Sequence, residues 1–452
     1  MANPEENKHV AVFPFPFSSH ILPVFNLALK LAHALPTSSF SFITTENSMS
    51  TLSSSFKTKP DNLNLYTAIS DGTQEGHSYN PIEIVELFLQ TGPENFQKGL
   101  DIAVAETKKP VTSIIADAFV TPTFDVAQAL NVPWIPVWIP VSCSLSVHFY
   151  GDKIRAHVNI NKSKTLDFLP GLPMLRVEDL PHDVLMSGTE KENVLTKTLV
   201  SLSWLLPQAK ALVVSFFEEL DPPDFVHDMR SNLQSMLYVP LFTTLSPPIP
   251  MDDDATGCLS WLDTQQAGKS VVYVSFGTTV VQPPQHELVA IAEALEESGF
   301  PFIWSLKDNL KGLLPKGFIE RTSTRGKVLP WVPQARILSH GSVGAFVSQG
   351  GCNSTMEGMS NGVPMIFRPY FADQGMNARL GQDVWGIGII IEGREFTKTA
   401  LLNSLNLILV KEEGKKFREN CSKMNKIIQD AAGPKGSAVQ DFKTLVDLIS
   451  SP

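Results

Sequence analysis

Between Trp331 and Gln374 the chain sets out a Trp-Val-Pro-Gln opening, an Asn353-Ser354 pair and a closing Asp373-Gln374, spread over two strand-to-helix turns. Val343 to Ser348 (VGAFVS) is an apolar run suited to a buried strand. Gln349-Gly350-Gly351-Cys352-Asn353-Ser354 then turns the chain, and a helix is expected from Thr355 onward. A helix that starts beside Asn353 and Ser354 presents unpaired backbone N–H groups and the positive end of its dipole, and the glycines let backbone come close to an anion. Both side chains add donors. Glu357 falls on the same helical face, where a carboxylate accepts hydrogen bonds from ribose hydroxyls. Trp331 supplies a flat surface for a base to stack on. Together these types and spacings suit a nucleotide diphosphate that carries a sugar.

A second pair suits proton transfer. His20 follows the first strand-like run, in the turn FPFPFSSH, and Asp117 closes the run VTSIIAD, both at places where an open α/β sheet holds its ligand. An imidazole can take the proton of a weakly acidic phenol, and a carboxylate beside it orients the ring and stabilises the imidazolium. Taken alone, a histidine in a turn is more often solvated surface. The run Asp252-Asp253-Asp254 contains the Asp-x-Asp pattern that can hold a divalent cation, but its Pro-rich surroundings read as a solvated acidic turn. No metal is expected, and His340 reads as structural.

The elements that must position these groups follow from length and patterning. At 452 residues the chain exceeds what one core usually organises, and 43% hydrophobic residues support large cores. Strand-like runs alternate with helical patterns: HVAVFPF, Ile21 to Leu35, SFSFITT, VTSIIADAF and Phe124 to Leu130, then SVVYVSF, Glu287 to Ser298, FIWSL, KVLPW, VGAFVS and MIFRP. That alternation predicts two parallel α/β, Rossmann-like domains. Leu241 to Gly257, rich in Pro and Asp and without apolar period, reads as the linker, with domains at 1–240 and 258–435. Ala438 to Ser450 has an amphipathic helical pattern, within a terminal segment 436–452. Neither half carries the G-x-G-x-x-G turn of a nicotinamide or flavin site, so no such cofactor is expected. A net charge of −10 without a dense basic run argues against nucleic acid as partner. The N-terminus is polar and acidic, and FPFPF is too short and Pro-broken for a signal or membrane segment. Four scattered cysteines without metal-ligand spacing suit reduced thiols, so the expectation is a cytoplasmic protein.

Trp331, Pro333, Gln334, His340, Phe346, Gly351, Asn353, Ser354, Glu357, Gly362, Pro364, Pro369, Asp373 and Gln374 stand at the spacings of the plant secondary product glycosyltransferase box. FPFPFSSH, ADAF, DFLPGLP, SFFEELDPP, GCLSWLD, SVVYVSFGT and PKGFIERT extend the match over nearly the whole chain. The sequence thus resembles the plant family 1 UDP-glycosyltransferases, and within them the flavonoid 3-O-glycosyltransferases. The resemblance implies a GT-B fold, two Rossmann-like β/α/β domains facing a cleft, with a C-terminal helix that returns to the N-terminal domain. It implies an acceptor-binding N-terminal domain, a UDP-sugar-binding C-terminal domain, a monomer, and inverting transfer without a metal, in which UDP-sugar is a co-substrate. His20 and Asp117 match the catalytic dyad. Thr278, Trp331, Val332, Gln334, Gln349, Gly351, Cys352, Asn353, Ser354, Glu357, Asp373 and Gln374 match donor positions, and a terminal Gln leans toward glucose. Phe15, Ser18, Ile82, Phe119, His148 and Phe371 match positions around a flat phenolic acceptor.

The chain also departs from the family pattern. Where the box reads His-Cys-Gly-Trp-Asn-Ser, this chain reads Gln349-Gly350-Gly351-Cys352-Asn353-Ser354. Gln349 keeps a donor but never a charge, and Cys352 replaces a large ring with a small side chain. Ile139 stands where the family has a Thr that binds the sugar, and Ile82 where many flavonoid enzymes have a Gln. These leave open a second donor (UDP-galactose or UDP-rhamnose), another phenolic acceptor, or a catalytically weak relative that binds flavonoids or partner enzymes.

Overall fold

The computed structural model describes residues 8–53, 58–74, 76–161, 164–186, 188–189, 192–242, 254, 256–265, 268–277 and 282–451. Thirteen strands run through them. β1 (His9–Phe13), β2 (Ser39–Thr44), β3 (Leu63–Thr67), β4 (Ser113–Asp117), β5 (Trp134–Trp138), β6 (Leu212–Val214) and β7 (Met236–Tyr238) form one sheet. β8 (Val271–Ser275), β9 (Phe302–Ser305), β10 (Gly326–Leu329), β11 (Val343–Ser348), β12 (Met365–Phe367) and β13 (Gly388–Ile390) form a second. Their orders are 3-2-1-4-5-6-7 and 10-9-8-11-12-13, and every pairing is parallel. β1, β4, β5, β8 and β11 are buried along their whole length, which is why they read as unbroken apolar runs: helices cover both faces of a doubly wound sheet.

The chain forms two compact units, residues 1–173, 182–249 and 430–452 in one, and 174–181 and 250–429 in the other. The linker expected at 241–257 falls largely outside the described residues. Of its acidic run only Asp254 is described, and there it caps the helix Cys258–Asp263, accepting from the N–H groups of Cys258 (2.9 Å) and Ser260 (2.8 Å). The terminal helix Ser437–Ser450 packs in the first unit. Leu445 and Ile449, one turn apart, join the cluster formed by Val24, Leu27 and Val239. Burying a leucine or isoleucine side chain in this way stabilises by about 1.5–3 kcal/mol. Asp441 on the same helix accepts from the N–H of Tyr238 at 2.7 Å, pairing a backbone group at the edge strand β7.

One boundary differs from the sequence expectation in a way that matters for the site. The apolar period suggests a helix from Ile21, leaving His20 in a turn, but the helix begins at Ser18 and runs to Ala34. Ser18-Ser19-His20 carries no apolar period, so pattern alone cannot see that first turn. A second brace lies under the turn after β5. Asp221, buried, accepts from Ser142 Oγ (2.6 Å) and Tyr238 OH (2.8 Å), with the Cys143 thiol donating to it at 3.4 Å. Burial raises its carboxyl to about 7 in spite of these bonds. This cluster ties the turn to β7 and so fixes the following helix Ser144–Phe149, which carries His148.

Candidate active site

In each sheet the strand order reverses between two neighbours, β1 and β4 in the first, β8 and β11 in the second. A doubly wound sheet has its ligand crevice beyond the carboxyl ends of such strands. In the first unit Phe13 of β1 pairs with Ala116 of β4, so the residues that follow each strand emerge side by side. His20 comes from the first turn of the helix after β1 and Asp117 from the last position of β4. Their Nδ1 and Oδ2 atoms lie 2.8 Å apart. Asp117 is buried, with a side-chain exposure of 1%, against 14% for His20.

The bonds settle the direction of this pair. Asp117 Oδ1 accepts the N–H of Phe119 at 3.0 Å, so both carboxylate oxygens are engaged by donors. An ionised carboxylate only accepts, so Nδ1 of His20 is the donor in this bond and Nε2 is the ring nitrogen left uncommitted to Asp117. The ring is therefore held with Nε2 facing away from the aspartate.

Aromatic rings surround it. Phe15 meets His20 at 5.4 Å between ring centroids, and Phe119 meets it at 5.2 Å. The chain of contacts continues from Phe119 to Trp138 (5.7 Å), from Trp138 to His148 (5.5 Å) and from Phe15 to Phe88 (5.9 Å). Phe15, Phe88 and Trp138 are buried and form the rigid floor, while Phe119 and His148 are partly exposed. Burial lowers the His148 imidazole to about 4, which leaves it neutral at pH 7. Phe15, Phe119 and His148 are thus brought together with His20. Phe88 and Trp138 are additions that the sequence does not flag, since a Phe in an apolar helix and a Trp in a buried strand look like any core residue. Ser18 starts the helix and Ile82 lies in the helix Pro81–Leu89, but their side chains fall outside the described residues. Ile139, just past β5, is buried in the apolar cluster of the first sheet.

The second unit gathers the other set. β11 ends beside β8, with Ser348 paired to Ser275, and the helix Cys352–Ser360 starts three residues after the strand. Gly350 takes φ +82°, the left-handed conformation that makes this tight turn and that favours glycine. The helix is capped by Gly351, which brings no side chain, so the first-turn N–H groups of Asn353 and Ser354 get no side-chain cap. Gln349 is buried, its Oε1 accepting from Ser348 Oγ at 3.1 Å. Its Nε2 lies 2.6 Å from where a Cβ on Gly277 would sit, which directs the amide nitrogen across the end of β8. Thr278 itself lies outside the described residues.

Around that helix start the box residues are bonded to one another. Gln334 Nε2 donates to Glu357 Oε2 (2.6 Å) and to Ser354 Oγ (3.2 Å), and its Oε1 accepts from Tyr273 OH at 3.0 Å. Glu357 is held at one oxygen, and Tyr273 is a support that its position in an apolar strand conceals. Val332 is buried, and the Trp331 indole beside it is 54% exposed. His340 is bonded at both nitrogens, accepting from Ser342 N–H (3.2 Å) and facing Asp263 (3.1 Å), a structural arrangement.

Asp373 and Gln374 open the helix Gln374–Asp383. Gln374 differs from the simple expectation of a side chain free for a sugar. It is buried, and its Oε1 accepts from the N–H groups of Tyr370 (2.9 Å) and Phe371 (3.2 Å). The carboxamide oxygen thus shapes the loop after β12. Phe371 belongs to this loop of the second unit and is 41% exposed.

Comparison with known proteins identifies the family of the chain. The family model described as UDP-glucoronosyl and UDP-glucosyl transferase matches residues 251–437. An anthocyanidin 3-O-glucosyltransferase from Vitis vinifera is 41% identical over 460 aligned positions, covering 100% of this chain and 99% of that protein. An anthocyanidin 3-O-galactosyltransferase from Rhododendron delavayi is 40% identical, with 99% and 98% covered. Among solved structures, a UDP-glucose:anthocyanidin 3-O-glucosyltransferase in complex with UDP shares 58% identity with a TM-score of 0.94, each chain covered in full. The two parallel sheets of seven and six strands match these GT-B structures, and the chain belongs to the UDP-glycosyltransferase family.

Proposed function

We propose that the protein transfers a sugar, glucose in the first instance, from a UDP-sugar to the 3-hydroxyl of a flavonoid, with inversion at the anomeric carbon and without a metal. The observation that carries this is the His20–Asp117 pair, 2.8 Å apart and walled by aromatic rings, on a chain 41% identical to an anthocyanidin 3-O-glucosyltransferase. His20 Nε2 takes the phenolic proton as the oxygen attacks the anomeric carbon. The bond to the diphosphate breaks, and its electron pair leaves with UDP. Asp117 keeps the ring in the required tautomer and stabilises the imidazolium. Phe15, Phe119 and His148 face the flat acceptor, as Phe371, Ser18 and Ile82 do in the same reading. In this reading the first unit is the acceptor domain, and the second, residues 174–181 and 250–429, the donor domain.

On the donor side Trp331 stacks the base, with Val332 beneath it. Glu357, braced by Gln334, takes the ribose hydroxyls. The N–H groups at Asn353 and Ser354 together with Gln349, Gly351 and Thr278 take the diphosphate, and Asp373 and Gln374 the sugar. Cys352 adds no charge of its own. By likeness to the plant family 1 UDP-glycosyltransferases we place the protein in the cytoplasm as a monomer.

The test is mass-spectrometric detection of products after incubation with kaempferol or cyanidin and, separately, UDP-glucose, UDP-galactose and UDP-rhamnose. A 3-O-hexoside formed from UDP-glucose is the expected result. Product from another donor alone moves the donor assignment, and no product from a folded, UDP-binding protein overturns the activity.

The neutral Gln349 sets a second expectation. A charge-assisted hydrogen bond is worth about 1.5–3 kcal/mol against about 0.5–1.5 for a neutral one. Gln349→His is therefore expected to tighten UDP binding by about tenfold below pH 6, where an imidazole is charged, and by less at pH 8. Calorimetric titration at the two pH values checks it, and equal affinities for both proteins at pH 6 would remove Gln349 from the diphosphate site.

A further inference from the structure

Residues 174–181 belong to the second unit although the chain on either side belongs to the first. Within this excursion Val177–Asp179 makes one short helical turn, and Asp179 is 1% exposed. Its Oδ2 accepts from the N–H of Arg176 (2.9 Å) and from Nε of Arg379 (2.9 Å), while Oδ1 faces Arg379 Nη2 (3.4 Å) and the guanidinium of Arg394. Arg379 is 5% exposed and also reaches Asp383 at 3.1 Å. Arg394 reaches the carbonyl of Glu178 at 3.1 Å.

Backbone contact accompanies this charge cluster. A Cβ on Gly375 would lie 2.5 Å from the carbonyl oxygen of Asp179 and 2.9 Å from its Cα, so the excursion is seated directly against the glycine that follows Gln374. Gly375 and Arg379 are four residues apart, on one face of the helix Gln374–Asp383. The excursion therefore holds that helix twice, by close approach in the first turn and by a buried ion pair in the second. The other side of the loop is held as well. Arg368 Nε and Tyr370 OH donate to the buried Glu287 at 3.0 and 3.2 Å.

A buried ion pair is a weak way to gain stability compared with apolar packing, because desolvation offsets most of the attraction. Its distinctive property is direction: the planar guanidinium on a carboxylate fixes both distance and rotation. Here the helix so fixed is the one that presents Asp373 and Gln374 at its start. We propose that Asp179 is a positioning residue for the donor sugar, setting the axial and rotational place of the helix Gln374–Asp383, while the nucleotide is held by other elements. This rests on the donor-site reading given above.

The discriminating comparison is UDP, which lacks the sugar, against UDP-glucose. In Asp179→Asn, which keeps the shape and removes the charge, the KM for UDP-glucose is expected to rise about tenfold, while UDP affinity by calorimetry stays within about twofold of wild type. Gly375→Ala leaves every charge in place and pushes on the seat, and is expected to give the same split. Asp179→Glu, which keeps the charge, is expected to recover part of the loss. Should Asp179→Asn fail to fold, the same two measurements on Gly375→Ala and Asp179→Glu decide. Equal losses for UDP and UDP-glucose, or no change for either in folded variants, would overturn the positioning role. Wild-type protein that does not bind UDP would overturn the donor-site reading itself and with it this role.

Discussion

His20→Ala is expected to lower turnover by about 10²- to 10⁴-fold while leaving UDP binding as it is in the wild type. The argument is geometric. Nδ1 is committed to Asp117 at 2.8 Å, Asp117 is itself fixed by the N–H of Phe119, and Phe15 and Phe119, in contact with each other, both pack against the ring. A methyl group in place of the imidazole removes the base and leaves Asp117 buried without its partner, too deep to reach an acceptor directly. The donor residues stand on a different sheet, so a thermal shift with UDP, which stabilises whatever it binds in the native state, should persist. Asp117→Asn is the informative companion: it can hold the ring in the wrong tautomer, so turnover should fall while acceptor KM changes little. If His20→Ala turns over at near wild-type rate, the dyad assignment is wrong.

The second large effect is expected at Glu357. Its Oε2 takes the Gln334 amide at 2.6 Å, and Gln334 is in turn anchored by Tyr273 and reaches Ser354. This chain aims one carboxylate from the helix Cys352–Ser360, and the loss of its charge-assisted bonds to a ribose is worth about 1.5–3 kcal/mol, about ten- to a hundredfold in UDP affinity. The chemistry of the contact supplies a sharper check than the magnitude. Wild-type protein should prefer UDP over 2′-deoxy-UDP, and Glu357→Ala should bind the two alike. A variant that keeps the preference would show that the ribose is read elsewhere.

What could be read from the sequence follows from physical visibility. Strands buried on both faces, such as β1, β4, β8 and β11, are continuous apolar runs and declare themselves. β6 and β7, three residues each, are too short to show a period, and they are placed by neighbours such as Asp221 and Asp441 instead. The proposed donor residues other than Thr278 stand out because they lie within one stretch of chain at fixed spacing. The His20–Asp117 pair spans 97 residues and became legible only through two matched segments. Supports were hidden throughout. Tyr273, Trp138 and Phe88 have the character of core residues, and Asp179 looks like any acidic residue in a loop until the fold brings it to Arg379. The two bonds that occupy the Gln374 oxygen were equally out of reach, since they depend on the path of the loop and not on residue type.

Gln349 carries a consequence for how the enzyme responds to proton concentration. With histidine at that position, an imidazole would gain charge as the pH fell, and with it affinity for a diphosphate. A primary amide does not titrate, and His148 is already neutral above about 4. In the proposed diphosphate site the contact at Gln349 thus carries no ionisation of its own, and its share of donor affinity is expected to stay constant with pH.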